Sequence, residues 1–175
     1  CIDTSMGFSP LAGLIMGTRT GDIDPSVVFY LESKGYSSTE TEVLFNKQSG
    51  MLALAGFNDM RDVNKAAEEG NANAILALKM YAYRIQKYIG ASIAALNGLD
   101  AIIFTAGVGE NDALMRKRIC TNLSFFNIEI TDQLNEAKGQ SVREISPPDA
   151  SIKVLVVPTN EELEIANQCF ALLNL

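Results

Sequence analysis

Phe104-Thr105-Ala106-Gly107-Val108-Gly109-Glu110-Asn111 follows the apolar run Leu99-Asp100-Ala101-Ile102-Ile103 and precedes a segment with helical spacing, residues 112–123. A short apolar run bounded by glycines predicts a fully buried strand of a mainly parallel sheet. The order strand, glycine turn, helix puts backbone amides where an anion can reach them. Glycine has no Cβ to hold a ligand off, and a helix start offers unpaired N–H donors and partial positive charge. The spacing Gly-x-Gly-Glu-Asn matches neither the dinucleotide fingerprint nor the Walker A loop, which needs Lys followed by Ser or Thr. On these residues alone, a phosphate cradle and an ordinary tight turn stand side by side.

Working outward, a second continuous apolar run at 152–157 predicts another buried strand. It ends at Pro158-Thr159-Asn160-Glu161-Glu162, and a helix follows to about residue 173. Between the two runs, residues 125–130 predict a short edge strand, Thr131 caps a helix to about residue 138, and 142–145 predict a further strand. Upstream, residues 4–24 form a long loop rich in glycine and small polar residues, a length without structure of its own that is usually functional. Asp24-Pro25 opens a helix over 26–34 that Gly35 closes. A helix over 39–47 is expected with Ser38 or Thr39 as its cap, then an apolar turn at 51–54 and a short acidic helix at 63–69. From Asn71 to Leu96, Leu78, Ala82, Ile85, Ile89, Ile93 and Leu96 recur at three- and four-residue spacing, which predicts one long helix at the heart of the core. Helices alternating with apolar strands give an α/β fold in a single domain.

Composition narrows the function. With 175 residues the chain can bury a substantial core, and a net charge of −7 would repel a nucleic-acid backbone. No apolar run approaches the ~20 residues that span a bilayer, and no signal peptide opens the chain. Cys1, Cys120 and Cys169 are three widely spaced thiols, the pattern of a reduced cytoplasmic protein. There is no histidine, so the chain by itself hosts no histidine-based acid–base or metal chemistry. It begins at Cys1-Ile2-Asp3-Thr4, like the end of a strand, and is expected to be a fragment of something longer.

Ligands of open α/β sheets bind beyond the carboxyl ends of the strands. Here one such end offers the Gly107–Asn111 amides and the other the carboxylates of Pro158-Thr159-Asn160-Glu161-Glu162. A carboxylate tolerates nearby phosphate when a hard cation bridges the two, and magnesium does so with few protein ligands. That makes Glu161 a candidate magnesium residue, against the plainer alternative that Glu161 and Glu162 complement a helix dipole.

Five ordered segments carry a resemblance: Asp3-Thr4-Ser5-Met6-Gly7-Phe8, Met16-Gly17-Thr18-Arg19-Thr20-Gly21-Asp22-Ile23-Asp24-Pro25, Asp59-Met60-Arg61, the stretch 104–111, and Pro158-Thr159-Asn160-Glu161-Glu162. Together they closely resemble the carboxy-terminal half of the acetokinase family. The resemblance implies a ribonuclease-H-like domain of the actin/hexokinase/chaperone-ATPase superfamily, a mixed sheet flanked by helices. It also implies reversible, Mg2+-dependent phosphoryl transfer from ATP to acetate, giving ADP and acetyl phosphate, and a homodimer formed through this domain. Carried over by motif, Arg19 stabilises the transferring phosphoryl group, and its planar fork suits equatorial oxygens. Asp59, Met60 and Arg61 contact the nucleotide near the adenosine, with Asp59 as a ribose acceptor and Arg61 flanking the base; helix capping is the alternative for Asp59. Gly107, Val108, Gly109, Glu110 and Asn111 hold the nucleotide, and Glu161 serves magnesium. The family's upstream His-Leu-Gly-Asn-Gly motif, two early strands of this domain and the whole amino-terminal domain have no counterpart, so residues 1–175 are expected to be an incomplete carboxy-terminal domain, inactive alone. Propionate and butyrate kinases share much of the pattern. A non-catalytic nucleotide-binding or dimerisation module would not need the intact run 16–25, and a dehydrogenase would need Gly-x-Gly-x-x-Gly.

Overall fold

Strand β1 (Ala101–Phe104) and strand β3 (Lys153–Val156) run parallel, with Ala101 opposite Lys153 and Phe104 opposite Val156. Strand β2 (Arg143–Glu144) adds antiparallel to β3, giving a mixed sheet in the order β1-β3-β2. This computed structural model describes residues 1–139 and 141–173. The helices are α1 (Ser26–Ser33), α2 (Ser38–Lys47), α3 (Gly50–Ala55), α4 (Met60–Glu68), α5 (Ala72–Leu96), α6 (Ala106–Asn111), α7 (Ala113–Thr121), α8 (Asp132–Glu136) and α9 (Glu161–Leu173). A 3-10 turn occupies Ser124–Phe126. The chain divides into two compact units, Cys1–Gly98 and the remainder from Leu99.

The first unit is helical. Its long α5 packs on α3 and α4, and Met51, Val63, Ala74, Ala77, Leu78 and Ala82 form its buried centre. The buried stripe is shorter than the periodicity implies: Ile85, Ile89 and Ile93 are half-buried and Leu96 is exposed. Asn71 starts α5 by accepting the Asn73 and Ala74 amides, and Asn97, left-handed at φ 55°, ends it. The cap of α2 is Ser37, one residue before the expected ones. Its hydroxyl accepts from the Glu40 amide, and the Glu40 carboxylate accepts from the Ser37 amide, a reciprocal pair that satisfies two orphan donors. Residues 51–54, expected as a turn, continue the helix α3.

The second unit carries the sheet. Val154, Val156, Phe104, Met115, Ile119, Leu123, Ile128 and Ile145 are its buried residues. Two expectations fail here. Strand β1 is not fully buried: Ile103 is 58% exposed, because β1 is an edge of the described sheet. The edge strand expected over 125–130 is absent. Asn127 takes a left-handed φ of 58° directly after the 3-10 turn, which ends any extended run, and only Ile128 of that stretch is buried.

Candidate functional site

In the first unit the loop bearing Arg19 is held by its backbone and leaves its side chain free. Three of its carbonyls receive amides around the start of α3: Ser49 donates to Thr18 O (2.9 Å), Met51 to Met16 O (2.8 Å) and Leu52 to Gly17 O (2.9 Å). A helix start has orphan N–H donors, and here the loop supplies their acceptors. The end of α2 adds two more ties, from the Thr18 hydroxyl to Asn46 O and from the Thr20 amide to Phe45 O. Gly50 makes this approach possible. Its φ is +61°, and a Cβ there would lie 2.2 Å from Met16 O and 2.7 Å from Arg19 O. The Arg19 guanidinium, by contrast, makes only a 3.8 Å contact to Met16 Sδ among the described residues. A rigid backbone under an unspent planar fork is what recognition of an oxyanion requires.

Gly17 packs against Asn58, where a Cβ would meet Asn58 O at 2.8 Å, so the loop abuts the residue before Asp59. Asp59 caps α4, accepting from the Arg61 amide at 2.8 Å. It also grips the Arg61 guanidinium, Nη2 to Oδ2 at 2.5 Å, and that fork pulls the Asp59 carboxyl down to about 2. The capping alternative for Asp59 is therefore realised. The pairing holds Arg61 in one direction while 90% of its side-chain surface stays open, and Met60 beside it is half-buried.

In the second unit the glycine stretch is itself a short helix, α6, where a loop was expected before one helix over 112–123. Ala106 enters it at a left-handed φ of 58°, and Asp112 separates it from α7, accepting from the Met115 amide. Gly109 lies against the strand, with a would-be Cβ 3.1 Å from Phe104 C, whereas Gly107 faces open space. Gly107 and Asn111 are exposed, and Val108 is half-buried.

Because β1 and β3 are parallel neighbours, their carboxyl ends emerge together. Thr105 donates to Val157 O at 2.8 Å, and the Thr159 amide and hydroxyl donate to the Glu110 carboxylate at 2.9 and 3.0 Å. The Thr159 amide is the chief reason that the Glu110 carboxyl lies below its usual range. Glu110, expected to hold nucleotide, thus clamps the two motifs to each other. Asn160 caps α9 through the Leu163 amide, leaving Glu161 in the first turn, exposed and without a side-chain partner among the described residues. No group of three or more His, Cys, Asp or Glu poised for a metal occurs among the described residues. A lone carboxylate fits magnesium, which takes most of its ligands from phosphate and water.

The residue that sequence reading missed is Arg116. On α7 and only 2% exposed, it donates from Nη1 to Gly109 O (2.9 Å) and Glu110 O (3.0 Å). Its other nitrogens bind buried Asn135 of α8, Nε to Oδ1 (2.7 Å) and Nη2 to the carbonyl (2.6 Å). Arg116 therefore supplies the last carbonyls of α6 with the donors that the end of a helix lacks. A cleft of about 570 Å³ opens beside it, lined in part by Glu110, Asn111, Arg116 and Arg143, a volume ordinary for a small-ligand site.

The model of the acetokinase family matches residues 1–167. The chain belongs to the acetokinase family. The acetate kinase of Flavobacterium johnsoniae is 56% identical over 173 residues, covering 98% of this chain and 44% of that protein. Among solved structures, Porphyromonas gingivalis acetate kinase is 42% identical with a TM-score of 0.89, over 97% of this chain and 43% of that one. A Francisella tularensis propionate kinase is 42% identical with a TM-score of 0.87, over 94% of this chain and 42% of its own. The chain thus spans less than half the length of the relatives it matches. Its α/β architecture, a mixed sheet flanked by helices, is that of the family's ribonuclease-H-like domain in the actin/hexokinase/chaperone-ATPase superfamily. Among the described residues no helix is long and apolar enough to cross a membrane.

Proposed function

We propose that the chain is the nucleotide-binding part of a cytoplasmic ATP:acetate phosphotransferase, reversible and dependent on Mg2+. The observation that carries this reading is the joining of the Gly107–Asn111 and Pro158–Glu162 motifs by the Glu110–Thr159 hydrogen bonds, within a chain of the acetokinase family. Phosphoryl transfer asks the protein for positioning and charge stabilisation more than for covalent chemistry, and this chain offers both. The start of α6 and the open face of Gly107 meet the nucleotide phosphates. Arg61, braced by Asp59 and followed from half-buried Met60, flanks the base. Arg19 neutralises charge on the equatorial oxygens as the phosphoryl group moves. Glu161 would hold the magnesium ion, which when bound screens the charges of adjacent phosphate oxygens. Acetate is preferred to propionate or butyrate as acceptor because the Flavobacterium johnsoniae relative, at 56% identity, is an acetate kinase, whereas the propionate kinase structure matches at 42%. A partner domain outside this chain supplies the acceptor pocket, and a homodimer through these residues rests on the family resemblance.

The test uses the longer polypeptide that contains this sequence, with acetyl phosphate trapped as the hydroxamate. Arg19→Ala should lower kcat by about 100-fold or more while the KM for ATP changes little. Equal losses in kcat and ATP affinity would reduce Arg19 to a general binding residue, and no acetyl phosphate from the unmodified enzyme would sink the whole reading. Glu161→Ala should raise the magnesium concentration needed for half-maximal rate; an unchanged requirement removes it from the metal site.

A further inference from the structure

Asp22 closes the base of the Arg19 loop, and two separate segments converge on it, the chain at Gly13 and helix α5. The Asp22 amide donates to Gly13 O at 2.9 Å, and the Gly13 amide donates back to Asp22 Oδ1 at 2.8 Å. Residues 13–22 thereby form a closed ring with Arg19 inside it. From the distant helix α5, the Tyr88 hydroxyl donates to Asp22 Oδ2 and Arg84 Nη2 donates to the Asp22 carbonyl at 3.0 Å. The two donors lie four residues apart, one turn along the same helix face. The Tyr88 hydrogen bond is the first cause holding the Asp22 carboxyl below its usual range, so the ring is fastened by an ionised acceptor. The ring is also closely packed at two glycines. At Gly13 a Cβ would lie 2.5 Å from Ser5 O, and at Gly21 one would lie 2.6 Å from Gly13 O.

We propose that Tyr88 and Arg84 are positioning residues for phosphoryl transfer, setting the Arg19 guanidinium through their grip on Asp22. The inference rests on Arg19 being the residue that stabilises the transferring group. Residues 16–18 are tied to α3 whatever happens at Asp22. Residues 20–22 are tied to the end of α2 and to α5, and only the second tie depends on Tyr88 and Arg84. Releasing it leaves Thr20 on Phe45 O and Asp22 on Gly13, so the loop stays folded, while residues 21–22 lose their anchor to α5 and the closed ring carrying the fork shifts with them. A misplacement near 1 Å costs on the order of 100-fold in rate. With Arg19 acting on the transferring group in the transition state, the loss belongs to kcat.

Tyr88→Phe in the longer polypeptide removes one hydroxyl and keeps the ring volume. The expected result is a fall in kcat of about 10- to 100-fold, with the KM for ATP and for acetate within about twofold of the parent and little change in Tm. Asp22→Asn, which keeps an acceptor for Gly13, should show the same split and covers the case in which Tyr88→Phe folds poorly. In an Arg19→Ala background, Tyr88→Phe should have no further effect, because a group that acts through Arg19 is silent once Arg19 is gone. An equal fall in both backgrounds, or a lowered Tm with kcat unchanged, overturns the proposal and leaves Arg19 in place. If Arg19→Ala itself keeps full kcat, the catalytic reading of Arg19 fails, and the positioning role falls with it.

Discussion

Replacing Arg116 by Met keeps most of the side-chain volume and removes every donor. Four acceptors then lose their partner: Gly109 O, Glu110 O, Asn135 Oδ1 and Asn135 O. Hydrogen bonds from a charged donor contribute about 1.5–3 kcal/mol each, and the buried carbonyls left behind keep their desolvation cost. Against this, the guanidinium is buried, and desolvation, with Arg143 nearby, presses its pKa downward against the opposing pull of Asp112. Burying such a charge costs several kcal/mol, which the Met variant recovers. The net expectation is a loss of about 3 kcal/mol. With a urea dependence of about 2 kcal/mol per molar, the midpoint should fall by roughly 1.5 M in an equilibrium titration followed by far-ultraviolet circular dichroism. Asn135→Ala should also destabilise, and the double variant should lose clearly less than the two single losses combined, since both break one network. A midpoint shift below about 0.5 M, or strict additivity, would refute Arg116 as the support of α6.

The two glycines of α6 should separate packing from ligand approach. Gly107→Ala adds a Cβ that meets nothing within 4 Å and should leave stability unchanged or raised by up to about 1 kcal/mol, while weakening Mg-ADP binding in calorimetric titration; undiminished binding would remove Gly107 from the phosphate contact. Gly109→Ala places its Cβ 3.1 Å from Phe104 C and should instead destabilise by about 1 kcal/mol, so a neutral result there would contradict the packing described. Cys120 is buried, and burial raises its thiol to about 12, whereas Cys1 and Cys169 are exposed. In the folded chain iodoacetamide at pH 8 should label two thiols quickly and the third only after denaturation; three equal rates would refute the burial. The same shift makes a pH statement. A pKa raised on folding leaves the Cys120 contribution intact below the unfolded value of about 8.5, and it is lost as pH climbs from there toward about 12.

Local chemistry made most of the elements readable in advance. Asp24-Pro25 and Gly35 bracket α1, Asn71 starts α5, and the apolar runs at 99–103 and 152–157 hold β1 and β3, because caps and periodicity act within a few residues. The candidate residues were legible for the same reason: each sits in a short motif whose glycines and charges are adjacent in sequence. The misses also have a local cause. Residues 125–130 contain the aromatic and β-branched residues of a strand, but Asn127 turns left-handed and no neighbouring strand claims them.

What no window of sequence contains is a partner many residues away. Arg116 looks like one more cation on the helix segment Met115-Arg116-Lys117-Arg118, and only tertiary packing brings it to the carbonyls of α6 and to Asn135. Tyr88 and Arg84 look like the polar side of a long helix until α5 lies beside Asp22, more than sixty residues upstream. Gly50 reads as a helix breaker, and its use is to let the Arg19 loop touch the start of α3. The sequence by itself determined which chemical groups the chain carries and which short elements present them, since those depend on neighbours along the chain. The tertiary structure alone decided which of those groups are held still, because burial and long-range hydrogen bonds exist only once distant segments meet.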